Sequence, residues 1–287
     1  MRISDLLREK ETIVSCEVFP PKIGTELEHS FEIVSKIAAL NPAFISVTCG
    51  ASANTAVHTE AIARHIERSQ VPALAHITCV AAAKDDIPAI LDDYAGKGIE
   101  NVLALRGDLP EGVRQPAGGH YTHANELAAA IKARGGFCVG GACYPEGHVE
   151  SANQDEDIAF LKQKVDSGCD FLTTQMFFDN NVLYKFLYKL SQKNIDVPVL
   201  AGIMPVTNKV QIQRIVEISG TVLPSRFQNI LDKFGDKPAA MKQAGIAYAT
   251  EQIIDLIANN VRGIHIYTMN KPDVAGQIMR NLSHIIE

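Results

Sequence analysis

The 287-residue sequence predicts an α/β protein, a (β/α)8 barrel of the TIM type with extra helices before the last strand. Three observations predict it. Eight short runs rich in apolar and β-branched residues recur along the chain. Longer segments with apolar residues at helical spacings of three and four separate them. The runs are apolar on both faces, as parallel strands covered by helices must be. Eight such units favour closure into a barrel over an open doubly wound sheet, the alternative that the same rhythm allows.

The opening segment, "MRISDLLREKE", is charged and amphipathic. The first run is "TIVSCEVF" at 12–19. It is followed by "ELEHSFEIVSKIAAL", which places Leu27, Phe31, Val34 and Ile37 on one helical face. The second, third and fourth runs are "FISVTC" (44–49), "ALAHITC" (73–79) and "NVLAL" (101–105), and the fifth is "FCVGGACY" (137–144). The segment "EDIAFLKQKVDSG" starts after the polar stretch Ser151 to Asp155 and stops at Gly168, a residue type that ends helices. The sixth and seventh runs are "FLTTQ" (171–175) and "VPVLAGI" (197–203), and the helix "NKVQIQRIVEISG" then ends at Gly220. Two segments break the rhythm before the eighth run, "GIHIYT" (263–268). They are "LPSRFQNILDKFG" and "KPAAMKQAGIAYATEQIIDLIANN", read as two extra or extended helices and not as a second domain. No linker or low-complexity stretch appears, so residues 1–287 are expected to form one domain.

The net charge of −6 argues against non-specific nucleic-acid binding and against a basic membrane-binding surface. The N-terminus lacks the apolar core of a signal peptide, and no run approaches the length of a membrane span. A cytoplasmic location is expected. The six cysteines are Cys16, Cys49, Cys79, Cys138, Cys143 and Cys169, with no CxxC pair among them. Small, buried, reduced thiols are the expected role. A zinc site built from His76, His120, His123 and His148 is disfavoured, because their spacing follows no metal-ligand pattern.

In barrels of this kind, chemistry sits at the C-terminal ends of the strands. That rule converts the strand series into a set of candidate groups. They are Glu17, Thr48, His76, Thr78, Arg106, Gly107, Asp108, Tyr144, His148, Gln175, Tyr267, Asn270 and Lys271. Glu17 is the most pointed of these: a carboxylate at the end of an apolar strand, followed at once by Pro20 and Pro21. Flanked by Val18 and Phe19, it is expected to have a pKa raised by desolvation.

The motifs "CEVFPPK", "SVTCGA", "HITC", "ALRGDLP", "YPEGH", "TTQMFFD", "GIMPVTN" and "HIYTMNK" run in this order along essentially the whole chain. Together they resemble the methylenetetrahydrofolate reductase family, in its short bacterial form without a regulatory domain. The resemblance implies a single catalytic flavin-binding barrel. A reduced nicotinamide, NADH or NADPH, would pass hydride to a flavin. The flavin would then reduce 5,10-methylenetetrahydrofolate to 5-methyltetrahydrofolate in a ping-pong sequence. FAD is expected rather than FMN. The substrate's bridging methylene accepts hydride only after one C–N bond opens with proton delivery, so the site needs an acid and tolerance of a cation.

By the same resemblance, Glu17 matches the general acid, and Asp108 an aspartate near flavin and pterin that would stabilise developing iminium charge in a low-dielectric pocket. Gln175 and Gln211 match folate-contacting positions. Thr48, Ala51, His76, Arg106, Gly107, Asp108, Tyr144, His148, Asp157 and Lys164 match flavin-contacting positions. Three positions depart from the family pattern. Ile215 stands where the family has a substrate-gating aromatic, and Gln163 where it has a flavin-contacting arginine. Lys271 stands where an arginine commonly meets the folate's glutamate tail; it keeps the charge but loses the bidentate fork. Homo-oligomers are expected. The alternative readings are the same folate reduction with electrons delivered by an iron–sulfur partner subunit, and a non-catalytic flavin- or folate-binding subunit.

Overall fold

Side chains alternate across a strand, so each of these runs sorts its residues between two environments. In a computed structural model the described residues are 1–21, 27–49, 53–109, 112–113 and 116–286. The eight runs are eight strands: β1 (Ile13–Val18), β2 (Ile45–Val47), β3 (Ala73–Thr78), β4 (Asn101–Leu105), β5 (Cys138–Cys143), β6 (Phe171–Thr174), β7 (Val199–Ile203) and β8 (Gly263–Tyr267). All pair in parallel in chain order, and β8 closes on β1 to complete a barrel. Thr48 and Gln175 fall one residue beyond their strands rather than at the ends.

Outward-facing residues such as Val14, Cys16, Val18, Ile45, Val47 and Ile77 join the large core between barrel and helices. Inward-facing Ile13, Phe44, Leu74, Leu103, Cys138, Phe171 and Leu200 form a separate cluster that fills the barrel's lower half. Helix α1 (Ile3–Glu9) plugs this end with Ile3 and Leu7. The Ile3 amide donates to the buried Asn101 side chain at 2.8 Å, which anchors the plug. Gly140 makes room for Phe171: a Cβ there would lie 2.5 Å from its ring.

Helices α2 (Leu27–Ala38), α3 (Ala53–Arg68), α4 (Ile87–Gly96), α5 (Ala124–Arg134), α6 (Gln154–Asp166), α7 (Asn180–Gln192) and α8 (Lys209–Ser219) alternate with the strands. The Asn153 side chain caps α6 by accepting from the Glu156 amide at 2.9 Å, and Gly220 ends α8 in the left-handed region. The two extra segments are α9 (Ser225–Phe234) and α10 (Pro238–Ala258), and α11 (Pro272–Asn281) follows β8. Helices α9 and α10 bury a satellite cluster against the chain leaving β6 and β7, with Phe227, Leu231 and Met241 packed on Met176, Phe178 and Val206. Two hydrogen bonds fix the same contact. Gln252 Nε2 donates to the Phe177 carbonyl at 2.9 Å, and the Tyr248 hydroxyl donates to that of Phe178. The insertion therefore braces the segment that carries Gln175.

Candidate active site

Above the apolar plug the barrel interior turns polar. On β1, Ser15 and Glu17 face inward after Ile13, each one step nearer the mouth. Strand register sets Ser15 beside His265 and Glu17 beside Tyr267 on β8, and Glu17 beside Ser46 on β2. The Ser46 hydroxyl donates to Glu17 Oε2 at 3.3 Å, and His265 Nε2 lies 3.6 Å from the same oxygen. On β3, His76 Nε2 approaches that oxygen at 3.7 Å and has no hydrogen-bond partner of its own. Loop contacts hold the strand end: Thr268 Oγ1 donates to the Glu17 carbonyl at 2.6 Å, and Asn270 Nδ2 donates to the Phe19 carbonyl at 2.9 Å.

This environment reverses the expected sign of the Glu17 shift. Burial does push its carboxyl up. The polar contact with His265, the charge the two histidines can carry, and the Ser46 hydroxyl outweigh that effect and hold it below the usual 4.5. Of the two rings, His76 contributes no charge at neutral pH, because burial pushes it down to about 4. Glu17 is thus a carboxylate in the resting protein, held chiefly by His265.

Glu17, Thr48, His76, Arg106, Gly107, Asp108, Tyr144, His148 and Gln175 line one cleft of about 450 Å³ over the barrel mouth. A second cleft of about 320 Å³ shares Leu105, Arg106, Ala142, Tyr144 and His148 with it and extends over α6. Asp157, Gln163 and Lys164 line that extension. The two clefts share that wall, and the first has an apolar strip at Leu103 and Leu105 among its polar groups. Gly107 has φ +84°, and a Cβ there would meet Val80 at 2.4 Å, so the loop after β4 needs glycine.

The groove also contains polar atoms that the protein leaves unused. Thr78 Oγ1, Thr173 Oγ1, His76 Nε2 and Asp157 Oδ2 are buried without a partner. Buried polar atoms normally have one. Lys164 donates to the Ala142 carbonyl at 2.7 Å, and its pKa is lowered mainly by burial. The Asp157 carboxyl is pushed up by burial, against the opposing pull of His148 and Lys164. Arg106 pairs with Glu150 through two nitrogens, one of them at 2.8 Å, and Tyr144 meets His148 edge-on at 4.6 Å.

Five positions singled out by the sequence stand apart. Asp108 is exposed at the cleft rim and not enclosed in a low-dielectric pocket, because the loop after β4 turns outward there. Gln211 and Lys271 do not line the cleft. Gln211 lies in the first turn of α8, and Lys271 donates to Thr207 Oγ1 at 2.6 Å. Ile215 packs into the satellite cluster. Ala51 lies outside the described residues. Among the described residues, no cluster of three or more His, Cys, Asp or Glu could hold a metal ion, and no helix is long and apolar enough to cross a membrane.

Sequence reasoning missed Ser15, Ser46 and His265. A signal existed: in "IVSCEV", "FISV" and "GIHIYT", polar residues alternate with apolar ones, which places them inside the barrel.

Comparison with known proteins agrees with this geometry. The family model described as methylenetetrahydrofolate reductase matches residues 2–283. The probable methylenetetrahydrofolate reductase (NADH) of Oryza sativa subsp. japonica is 34% identical across the whole chain, which spans 50% of that protein. The chain thus covers about half the length of the plant relatives it matches. The 5,10-methylenetetrahydrofolate reductase of Escherichia coli K12 is 31% identical over 94% of this chain and 90% of its own length. A solved structure from Clostridium thermocellum, an uncharacterised protein that binds two copies of 5-methyl-5,6,7,8-tetrahydrofolic acid, superposes with a TM-score of 0.64 at 14% identity. It covers 99% of this chain and all of its own, and it shows the same barrel fold. With a family match along nearly its full length, the chain belongs to the methylenetetrahydrofolate reductase family.

Proposed function

We propose that the chain reduces 5,10-methylenetetrahydrofolate to 5-methyltetrahydrofolate, with FAD as the bound cofactor and NADH or NADPH as the electron donor. One observation carries the proposal: Glu17, Asp108 and Gln175, contributed by β1 and by the loops after β4 and β6, border a single cleft that continues over α6. The names of the Oryza sativa and Escherichia coli relatives support the substrate and the donor. The unused polar atoms of the groove fit a flavin. Thr78, Thr173 and His76 would meet the ring system, and Asp157 and Lys164 the remainder of the dinucleotide. When bound, the flavin would supply hydride transfer between the nicotinamide and the folate methylene carbon.

The chain's own residues would prepare that carbon. Glu17 delivers a proton to the substrate nitrogen that leaves the methylene bridge. The cation so formed is favoured by the carboxylate of Asp108 at the rim. Gln175 has amide donors and an acceptor for a planar heterocycle, and its Oε1 accepts from the Met176 amide at 3.0 Å, which fixes its orientation. The satellite cluster under α9 and α10 holds that loop rigid. Lys271 lies beside Thr207 near the start of α8, where a lysine can meet the carboxylates of a glutamate tail.

The test is Glu17→Gln, assayed in two anaerobic half-reactions. Bleaching of the flavin by NADH should survive, while reoxidation by methylenetetrahydrofolate should slow by about 100-fold or more. Equal rates in variant and parent would remove Glu17 from the acid role. A purified chain that binds no added flavin would defeat the proposal as a whole. Bleaching that occurs only with an added iron–sulfur protein would replace the nicotinamide as donor.

A further inference from the structure

A general acid must hold a proton, yet Glu17 rests as a carboxylate. The hydrogen-bond contacts around His265 offer a place for that proton. Ser15 Oγ has the Ile264 carbonyl, at 3.0 Å, as an acceptor for its one hydrogen. With that hydrogen placed on the carbonyl, the 2.7 Å contact between Ser15 Oγ and His265 Nδ1 has the ring nitrogen as donor. The same reasoning applies on the other side. With the Ser46 hydroxyl hydrogen on Glu17 Oε2 at 3.3 Å, its 3.2 Å contact with His265 Nε2 has that nitrogen as donor as well. A ring that donates from both nitrogens is an imidazolium. His265 is 1% exposed, and its counter-charge is Glu17 Oε2 at 3.6 Å.

We infer that His265 is a positioning residue that stores the proton Glu17 delivers, with Ser46 as the relay between them. In the transfer, Ser46 gives its hydroxyl proton to Glu17 Oε2 as His265 Nε2–H gives its own to Ser46 Oγ. An imidazolium and a carboxylate become a neutral imidazole and a carboxylic acid, and the serine is unchanged. The acid then faces the cleft, and solvent at the mouth restores the proton after turnover. The charged and titratable groups facing His265 are Glu17 from β1, His76 from β3 and Tyr267 two residues ahead on its own strand. His76 is neutral near pH 7, and the Tyr267 phenol is held un-ionised by burial, so neither competes for the positive charge. The Phe44 ring lies nearly parallel to the His265 ring, with centroids 5.8 Å apart. The inference names a second residue for the proton step and rests on the reductase reading for the proton's destination.

The test uses the ligand-free chain labelled with 15N-histidine, read by NMR near neutral pH. The His265 signals are assigned through contacts from the Phe44 ring protons, so no variant is needed. Both ring nitrogens should carry protons in the parent chain, and only one should in Glu17→Gln. A single ring proton in the parent, or an unchanged pair in Glu17→Gln, overturns the inference. In flavin-loaded protein, His265→Gln should slow the folate half-reaction by about 10-fold or more and leave reduction by NADH intact. Equal slowing of both halves would mark His265 as structural and also overturn it. A chain that failed to reduce folate would end the reductase reading, while the spectrum would still decide the ion pair.

Discussion

His76 offers a measure of what the polar barrel mouth costs the fold. Its ring is 5% exposed, and burial pushes its pKa from 6.5 down to about 4. Below 6.5 the unfolded chain takes up a proton at this residue that the folded chain refuses until about 4. Stability linked to His76 is therefore complete above 6.5 and is lost as the pH falls toward about 4. At 1.36 kcal/mol per pH unit the full loss is about 3 kcal/mol, and about 2 kcal/mol of it has occurred by about pH 5. The perturbation is His76→Gln, which keeps a polar side chain and removes the titration. The assay is urea unfolding of the ligand-free protein at about pH 7.5 and about pH 5, followed by circular dichroism, with the slopes checked for constancy. The parent should lose about 2 kcal/mol more than the variant between the two conditions. Groups other than His76 are shared, and Glu17, the one most coupled to it, titrates below its usual 4.5 and so below the window. Equal losses in the two proteins would refute the claim that His76 is buried neutral beneath the cleft.

Other predictions concern the loop after β4 and the thiols. Gly107→Ala forces a side chain onto a φ of +84° and against Val80, so the ligand-free chain should lose about 1–2 kcal/mol in urea unfolding, with flavin affinity reduced in parallel titrations. Unchanged stability and affinity would show that the loop moves freely. Burial pushes Cys16 and Cys79 up to about 12 and Cys138 and Cys169 up to about 11, and raises Cys143 further. These thiols should resist an aromatic disulfide reagent near neutral pH until denaturant is added, and rapid reaction of any of the five in the folded chain would contradict their burial.

The strands were legible because parallel strands buried on both faces are written as short runs dominated by apolar and β-branched residues, and each falls within a residue or two of its expected bounds. The ends of α6 and α8 were legible because Gly168 and Gly220 punctuate them. Helices α9 and α10 were legible as helices, but their docking was not. That they brace the segment Met176–Phe178 depends on Phe227, Leu231 and Met241 finding it across the barrel rim. The cleft residues could be read from the rule that strand ends converge, whereas Gln211 and Lys271, on outer segments, fall beside the cleft and not in it. The sign of the Glu17 shift was not legible at all. Its local neighbours, Val18 and Phe19, argue for a raised value. The residue that decides the matter, His265, lies near the other end of the chain and meets Glu17 only because β8 closes on β1.

That closure explains how a depressed carboxylate can still serve as an acid. An isolated buried glutamate would keep its proton because desolvation penalises charge. Such a group loses its proton to solvent once water enters and stabilises its ionised form. A glutamate paired with an imidazolium keeps the same proton one residue further back, where Phe44 and the apolar plug exclude water. The net charge of the pair is zero in either arrangement, so moving the proton forward to Glu17 separates no charge in the low-dielectric interior. Filling the cleft with a flat apolar ring system would strip water from Glu17 more than from His265, which is 1% exposed already. Desolvation would then favour the neutral acid on the side that faces the substrate. The proton should move toward the cleft when the site fills and withdraw when it empties.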